Sequence, residues 1–244
     1  MALSGGLDSG VLLAVAALVL SPARVLALTV TSEIVPQSDL YRSVLLAASF
    51  GVRHLLVPFE PLALQAFREN PPDRCYHCKL AMYQELLAAA YQEGFRILAD
   101  GTILEDFLED RPGFKAIYEL EVVIPLAEAA FYKRDVRALW RALGLPDADR
   151  PASPCLATRF PPGEPITSKK VQLVRKAEDF LRSLGFDHFR LRMKGFEARL
   201  EMMPEEETML FRERAIILSR LKELGFEKVF FDLEGYIPPK KRRP

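Results

Sequence analysis

Cysteine is scarce in this chain: there are three in 244 residues. An odd, small number argues against a disulfide framework and points to the cytoplasm. An excess of one charge sign is also missing. Thirty-three basic and thirty-three acidic residues cancel, so no global field recruits nucleic acid. The one basic run, Lys240-Lys241-Arg242-Arg243, reads as a solvated end. No apolar run is long enough to span a bilayer. The stretch from Val11 to Leu20 has the length of a signal-peptide core. However, no Lys or Arg precedes it, Asp8 does, and the small-residue cleavage pattern is poor. Repeats and low-complexity segments are absent. What remains, 50% hydrophobic and 27% charged residues, is ordinary globular composition, enough for one large domain or two modest ones.

Against that plain background one stretch stands out. Met1-Ala2-Leu3 is a short apolar start, Ser4-Gly5-Gly6-Leu7-Asp8-Ser9 follows, and an apolar run from Gly10 to Leu20 comes next. A strand, a tight turn and a helix fit that order. Gly5 and Gly6 lack a Cβ, so the backbone can approach an anion and adopt positive φ. Their N–H groups, with those opening the helix at Ser9, suit phosphate oxygens near the positive end of the helix dipole. Ser4 and Ser9 add hydroxyl donors. A carboxylate at Asp8 beside a polyanion makes sense with Mg²⁺ between them. The Lys of a Walker loop and the spacing of the dinucleotide fingerprint are both missing. The stretch resembles the SGGxDS loop of the PP-loop ATP pyrophosphatases, which cleave ATP between the α and β phosphates and leave AMP on a substrate oxygen. An ordinary turn is the plain alternative.

Short apolar runs and helical patterns alternate over residues 1–146. Arg24 to Val30, Arg53 to Val57, Phe95 to Ala99 and Glu121 to Pro125 read as strands. Tyr41 to Phe50 belongs to a helix, Leu80 to Gln92 forms one ended by Gly94, and Ala127 to Leu143 forms another ended by Gly144. This order predicts an α/β fold with a doubly wound parallel sheet covered on both faces. Ligands of such sheets sit beyond the carboxyl ends of strands. Ser4–Ser9, Thr31-Ser32 and Asp100-Gly101-Thr102 all follow strands and are expected to converge there.

Residues 147–166 change character. Pro146, Pro151, Pro154, Pro161, Pro162 and Pro165 crowd the region, which reads as an extended linker or functional loop. Residues 167–244 form a smaller α+β domain: a helix from Thr167 to Leu184, strands Phe189 to Met193 and Glu197 to Met202, a helix from Glu205 to Leu224 and a last strand from Lys228 to Leu233.

Cys75-Tyr76-His77-Cys78 opens the Leu80–Gln92 helix, placing both sulfurs on one side of its first turn, where the dipole favours thiolate. Cys155 lies in the proline-rich loop with Arg159 nearby. Three readings stay open: incidental or buried cysteines, a zinc site completed by His54 or His188, and an iron–sulfur cluster with three cysteine ligands and one open iron.

Together the pieces resemble the LarE ATP-dependent sulfur insertases, which act in assembly of the nickel-pincer nucleotide cofactor of lactate racemase. The resemblance covers nearly the whole chain. It rests on SGGLDS (4–9), RCYHCK (74–79), ADGT (99–102), RPG (111–113), RALWRALGLP (137–146), PCLATRF (154–160) and RLR with ARLE (190–192 and 198–201). It implies a pyridinium dicarboxylate mononucleotide substrate, adenylated on a ring carboxylate and then thiolated, in two rounds. In single-cysteine members the cysteine at the Cys155 position gives up its sulfur and becomes dehydroalanine. Three-cysteine members are thought to hold a [4Fe-4S] cluster relaying exogenous sulfide, and Cys75, Cys78 and Cys155 match that version.

By the same resemblance Arg190 and Arg192, two apart on a strand and so on one face, bind the mononucleotide phosphate; a solvated strand face is the alternative. Arg159, Glu178 and Glu201 match positions near that pocket, with a surface salt bridge the alternative for Glu178. Ser32, Gly101, Thr102 and Asp106 are candidates for holding ATP or Mg²⁺. Tyr76 and His77 are candidates for stacking on a ring, against a core tyrosine. Relatives carry a leading segment and a longer first strand, so three residues put the loop's stability in question. Relatives also commonly have Asn where this chain has Ile103, which removes a polar contact. Ring-type homo-oligomers and a sulfide donor complete what the resemblance implies. The rival functions are a tRNA thiolase, which would want a basic surface, and a nucleotide- or metal-binding protein without turnover.

Overall fold

The computed structural model describes residues 1–108, 112–149 and 154–236. Arg111, Pro151 and the basic tail therefore lie outside the described residues. The chain divides into two compact units, Met1–Phe67 with Pro71–Ser153, and Arg68–Asn70 with Pro154–Pro244.

The first unit runs α1 (Leu7–Leu20), β1 (Leu26–Thr31), α2 (Gln37–Ser49), β2 (Arg53–Pro58), α3 (Gln65–Glu69, whose last residues pass to the second unit), α4 (Arg74–Gln92), α5 (Phe114–Glu119), α6 (Pro125–Glu128) and α7 (Lys133–Ala142). β1 and β2 pair in parallel from Leu26↔Arg53 to Thr31↔Pro58. On its other edge β1 meets residues 1–3: Leu3 N–H donates to Leu28 O at 2.8 Å and Leu28 N–H to Met1 O at 2.9 Å. Ala2 N–H donates to Ala99 O at 2.8 Å, and a parallel bridge joins Ala99 to Val123. The spatial order is therefore β2, β1, residues 1–3, residues around 99, residues around 123. In chain order that is 3-2-1-4-5, a doubly wound parallel sheet with its switch point between residues 1–3 and Ala99.

β1 shows why helices cover both faces. Val25 and Ala27 belong with Val11, Leu13, Val136 and Trp140. Leu26 and Leu28 belong instead with Tyr83, Leu86 and Ala90 of α4. Successive side chains of a strand point to opposite faces, and each fully buried Leu or Val contributes about 1.5–3 kcal/mol. Val11, Leu12, Leu13 and Ala14 are buried, so the apolar run that could have been a signal peptide makes a core helix. Among the described residues no helix is long and apolar enough to cross a membrane.

Several expected elements shrink or split. The strand expected over Phe95–Ala99 is reduced to the bridge at Ala99, because Phe95 N–H still bonds Ala90 O in the helix-ending turn at Gly94. The one expected over Glu121–Pro125 is reduced to a bridge at Val123, because Pro125 opens α6. The helix expected over Ala127–Leu143 breaks into α6 and α7. Ala130 adopts φ 55°, and Asp135 Oδ2 accepts from Tyr132 N–H at 2.9 Å to start the second piece. The start expected to be weak, residues 1–3, is hydrogen-bonded along both edges.

The second unit contains α8 (Ser168–Ser183), β3 (Phe189–Lys194), β4 (Glu197–Met202), α9 (Pro204–Arg212), α10 (Arg214–Leu224) and β5 (Lys228–Phe231). β3 and β4 form an antiparallel hairpin that places Arg190 opposite Glu201, and β5 joins β4 in parallel. The helix expected over Glu205–Leu224 breaks at Glu213. Residues 154–166 are more than a linker. Leu156, Ala157, Phe160 and Ile166 are buried. Asn70 Nδ2 donates to Pro161 O at 2.7 Å and to Glu164 O at 3.0 Å, fixing this segment from within the same unit.

Candidate active site

In the first unit the turn after residues 1–3 is shaped by its own side chains. Gly5 adopts φ +74°, and a Cβ there would strike the Asp39 carbonyl oxygen. Ser4 and Ser9 hydroxyls lie 3.0 Å apart; Ser4 N–H donates to Ser9 Oγ at 3.2 Å and Gly6 N–H to Ser4 Oγ at 3.2 Å. These hydroxyls thus hold the turn as well as offering donors to an anion. Gly6 begins α1 with no side-chain cap, which suits the first-turn amides to an anionic ligand.

Gly101 presses on this turn. A Cβ at Gly101 would come within 2.6 Å of Ser9 N and 2.7 Å of Ser9 Cα, so only glycine lets the two loops meet. The approach is braced from α4. Tyr83 donates to Asp100 Oδ2 at 2.7 Å, and Thr102 N–H and hydroxyl both donate to Asp100 Oδ1. Burial, together with the Asp100 charge, pushes the Tyr83 phenol up, keeping it a proton donor. Asp106 Oδ2 accepts from Ile103 N–H at 3.0 Å, closing a local turn. Ile103 itself is buried in the core, where an apolar side chain belongs. Ser32 Oγ accepts from Ile34 N–H at 3.5 Å.

Asp8 has a partner that sequence reading missed. Lys133 Nζ lies 2.7 and 2.8 Å from the two Asp8 oxygens, and Lys133 N–H donates to Glu105 Oε1 at 3.0 Å. The ammonium opens α7 beside the phosphate-type turn. Its only sequence signal is position: a basic residue starting the helix after the fifth parallel segment.

Cys75 and Cys78 sit on the first turn of α4, Cys75 exposed and Cys78 half-buried, and neither is in a disulfide. Arg74 Nη2 donates to Cys75 Sγ at 3.4 Å. Tyr76 is no core residue: its hydroxyl donates to Glu119 Oε2 at 2.9 Å, and Lys115 Nζ lies 4.7 Å from its ring centroid. Among the described residues no three Cys, His, Asp or Glu side chains gather closely enough to hold a metal ion. Cys75 and Cys78 belong to the first unit and Cys155 to the second, and no step is derived through a cluster.

The second unit brings the other candidates into one network. Cys155 precedes a short 3₁₀ turn, residues 156–159, and its Sγ accepts from Ala157 N–H at 3.4 Å. Arg159, 1% exposed, grips fully buried Glu178 through two bonds, Nε–Oε1 2.7 Å and Nη2–Oε2 3.0 Å. Its Nη1 donates to Pro154 O at 3.0 Å and Thr158 Oγ1 at 2.9 Å, bracing the cysteine turn. Glu178 is thus no surface salt bridge. Arg192 Nη1 donates to Thr158 O at 2.6 Å and its Nε to Glu201 Oε1 at 2.9 Å. Arg190 is buried, with Nη2 2.9 Å from the Tyr236 hydroxyl and the guanidinium 4.6 Å from that ring centroid. Burial, with Arg159 nearby, lowers its pKa to about 10. The solvated-face alternative for this strand fails on that burial. Glu201 Oε2 is buried without a hydrogen-bond partner.

Residues 1–154 match the NAD synthase family. Over 239 residues the chain is 35% identical to the pyridinium-3,5-bisthiocarboxylic acid mononucleotide synthase of Lactiplantibacillus plantarum, covering 97% of this chain and 86% of that one. The chain belongs to the LarE family of PP-loop enzymes. An uncharacterized protein of Synechocystis sp., slr1717, is 36% identical over 245 residues, covering 100% of this chain and 91% of that one. Among solved structures, the NH3-dependent NAD synthetase of Campylobacter jejuni is similar with a TM-score of 0.48 and 16% identity, covering 92% of this chain and 84% of that one. LarE membership makes this an ATP-using enzyme.

Proposed function

We propose that the protein adenylates the carboxylates of a pyridinium dicarboxylate mononucleotide and replaces oxygen with sulfur. The observation that carries the reading is the whole-chain likeness to the named synthase. ATP phosphates take the first-turn amides of α1. Mg²⁺, held by Asp8, would neutralise phosphate charge. Lys133, within reach of the Asp8 carboxylate, turns to the departing pyrophosphate. A substrate carboxylate oxygen attacks the α-phosphorus, and the α–β bond breaks. Cys155 supplies the sulfur nucleophile: its Sγ attacks the acyl carbon and AMP leaves with the oxygen, and loss of the Cys155 α-proton with cleavage of its Cβ–Sγ bond then frees the thiocarboxylate and leaves dehydroalanine. Arg190 and Arg192 hold the mononucleotide phosphate, and Arg159 with Glu178 fixes the Cys155 turn. Gly101, Thr102 and Ser32 line the ATP side, and Tyr76 stacks on a ring.

The finer readings belong to the same proposal: a [4Fe-4S] cluster on Cys75, Cys78 and Cys155, read by iron and sulfide content, and a homo-oligomer, read by light scattering. The deciding experiment is an anaerobic incubation with Mg-ATP and the mononucleotide, read by mass spectrometry of nucleotide and intact protein. Thiolated nucleotide over many turnovers with Cys155 intact means a relayed sulfur. At most one sulfur per chain, with dehydroalanine at 155, means a sacrificial donor. No thiolated nucleotide overturns the substrate, and tRNA becomes the next one to test.

A further inference from the structure

Past β5 the second unit makes a tight turn that delivers one phenol to a buried arginine. Asp232 N–H donates to Leu200 O at 2.9 Å, Gly235 N–H to Asp232 O at 3.0 Å and Tyr236 N–H to Met202 O at 2.7 Å, so the chain is tied to the end of β4. Gly235 adopts φ +68°, and a Cβ there would lie 2.7 Å from Met202 O, so this turn requires glycine. It places Tyr236, 9% exposed, with its hydroxyl accepting from Arg190 Nη2 at 2.9 Å and its ring 4.6 Å from that guanidinium. A phenol oxygen that accepts one bond still has its own proton to give. Among the described residues that proton has no acceptor. Arg192 lies two residues further on the same face of β3. Its Nε and Nη1 are bonded to Glu201 and Thr158; among the described residues its Nη2 donates to nothing. Three guanidinium groups, Arg190, Arg192 and Arg199, share this face with Glu201, and Asp232 pairs with Arg199, a field that favours an anion.

We propose that Tyr236 is a phosphate ligand whose hydroxyl donates to the phosphomonoester of the mononucleotide while its oxygen is held by Arg190 Nη2. This deepens the reading of Arg190 and Arg192 as the phosphate site and rests on it. The guanidinium bond to the phenol oxygen polarises the O–H, and such chained bonds strengthen one another away from water. Arg190 keeps its charge at neutral pH, although burial lowers its pKa to about 10. A phosphate dianion offers several acceptor oxygens, and the bonds it receives are charge-assisted. It can therefore take the phenol proton and an Arg192 Nη2 donor together. A dephosphorylated nucleoside puts no acceptor there and leaves the buried hydroxyl unsatisfied. Tyr236 thereby selects the phosphorylated substrate over its nucleoside.

The test is calorimetric titration of full-length wild type and Tyr236→Phe, without ATP, using two ligands: the pyridinium dicarboxylate mononucleotide and the nucleoside made from it by a phosphatase. Phenylalanine keeps the ring on the guanidinium and removes only the hydroxyl. The variant should bind the mononucleotide about ten- to a hundredfold more weakly, the effect of one hydrogen bond to a charged group. It should bind the nucleoside within about twofold of wild type. In turnover, KM for the mononucleotide should rise while kcat and KM for ATP stay close to wild type. Unchanged mononucleotide affinity in Tyr236→Phe, with wild type still preferring the mononucleotide, overturns the role of Tyr236 and leaves the phosphate site standing. Equal losses for both ligands assign the hydroxyl to structure alone and also overturn it. Equal affinity of wild type for the two ligands removes the phosphate site itself, and the proposal with it.

Discussion

Gly101→Ala is the sharpest perturbation of the proposed ATP site. The added methyl would sit 2.6 Å from Ser9 N, 2.7 Å from Ser9 Cα and 2.9 Å from Asp8 C. All three are backbone atoms, so no side chain can swing aside. Restoring contacts of about 3.5 Å or more requires the PP-loop to retreat by about 1 Å. A displacement of that size at a reacting centre costs about 10²-fold in rate, and the overpacking costs about 1–3 kcal/mol of stability. Gly10→Ala supplies the control. Its methyl would meet Trp140 Cζ3 at 2.6 Å, a side-chain atom on α7. Each variant should lower the melting temperature by roughly 2–4 °C per kcal/mol. Only Gly101→Ala should also lose about 10²-fold in pyrophosphate release at saturating Mg-ATP. Pyrophosphate release within about threefold of wild type in Gly101→Ala, or an equal loss in both variants, would refute the reasoning that this contact sets the phosphate cradle.

Other outcomes follow from the same geometry. Lys133→Met and Asp8→Asn should each cut pyrophosphate release by about 10²–10³, and the double variant should be no worse than the worse single one; full additivity would show that the two act separately. Cys155→Ala should abolish sulfur transfer while leaving adenylation, and unchanged transfer would remove Cys155 from the reaction. Glu178→Gln leaves the buried Arg159 guanidinium without its counter-charge and should cost about 3–5 kcal/mol in urea unfolding. Burial pushes the Glu178 carboxyl up, but Arg159 and Arg182 outweigh it and hold the carboxyl below its usual value. Its contribution is therefore present above the unfolded value of about 4.3 and is lost as pH falls through the folded value. Acid unfolding of wild type should steepen below about pH 4, and Glu178→Gln should flatten it; identical acid limbs would contradict that assignment.

What was legible in the sequence and what was not divide along a physical line. The Ser4–Ser9 turn could be read because its requirement is local: Gly5 and Gly6 lack a Cβ, and Gly5 adopts φ +74°. The doubly wound parallel sheet could be read because alternation of apolar runs and helices leaves few parallel topologies. The outer strands were overestimated because apolar content does not report hydrogen bonding. Phe95 is taken by the end of α4, and Pro125 opens a helix. Lys133 stayed hidden because its partner is 125 residues away and lysine carries no local constraint that would mark it. Arg159 and Glu178 were seen as candidates, but their pairing was not, since nothing local marks two residues 19 apart in sequence as partners. Only the tertiary structure shows a guanidinium and a carboxylate that are both fully buried, and a bidentate pair is what makes that burial tolerable. Such a pair is a costly way to hold a turn. Its placement under Cys155, with Arg192 bonded to Thr158 O from β3, therefore argues that the orientation of the cysteine turn, more than the stability of the unit, is what these charges serve.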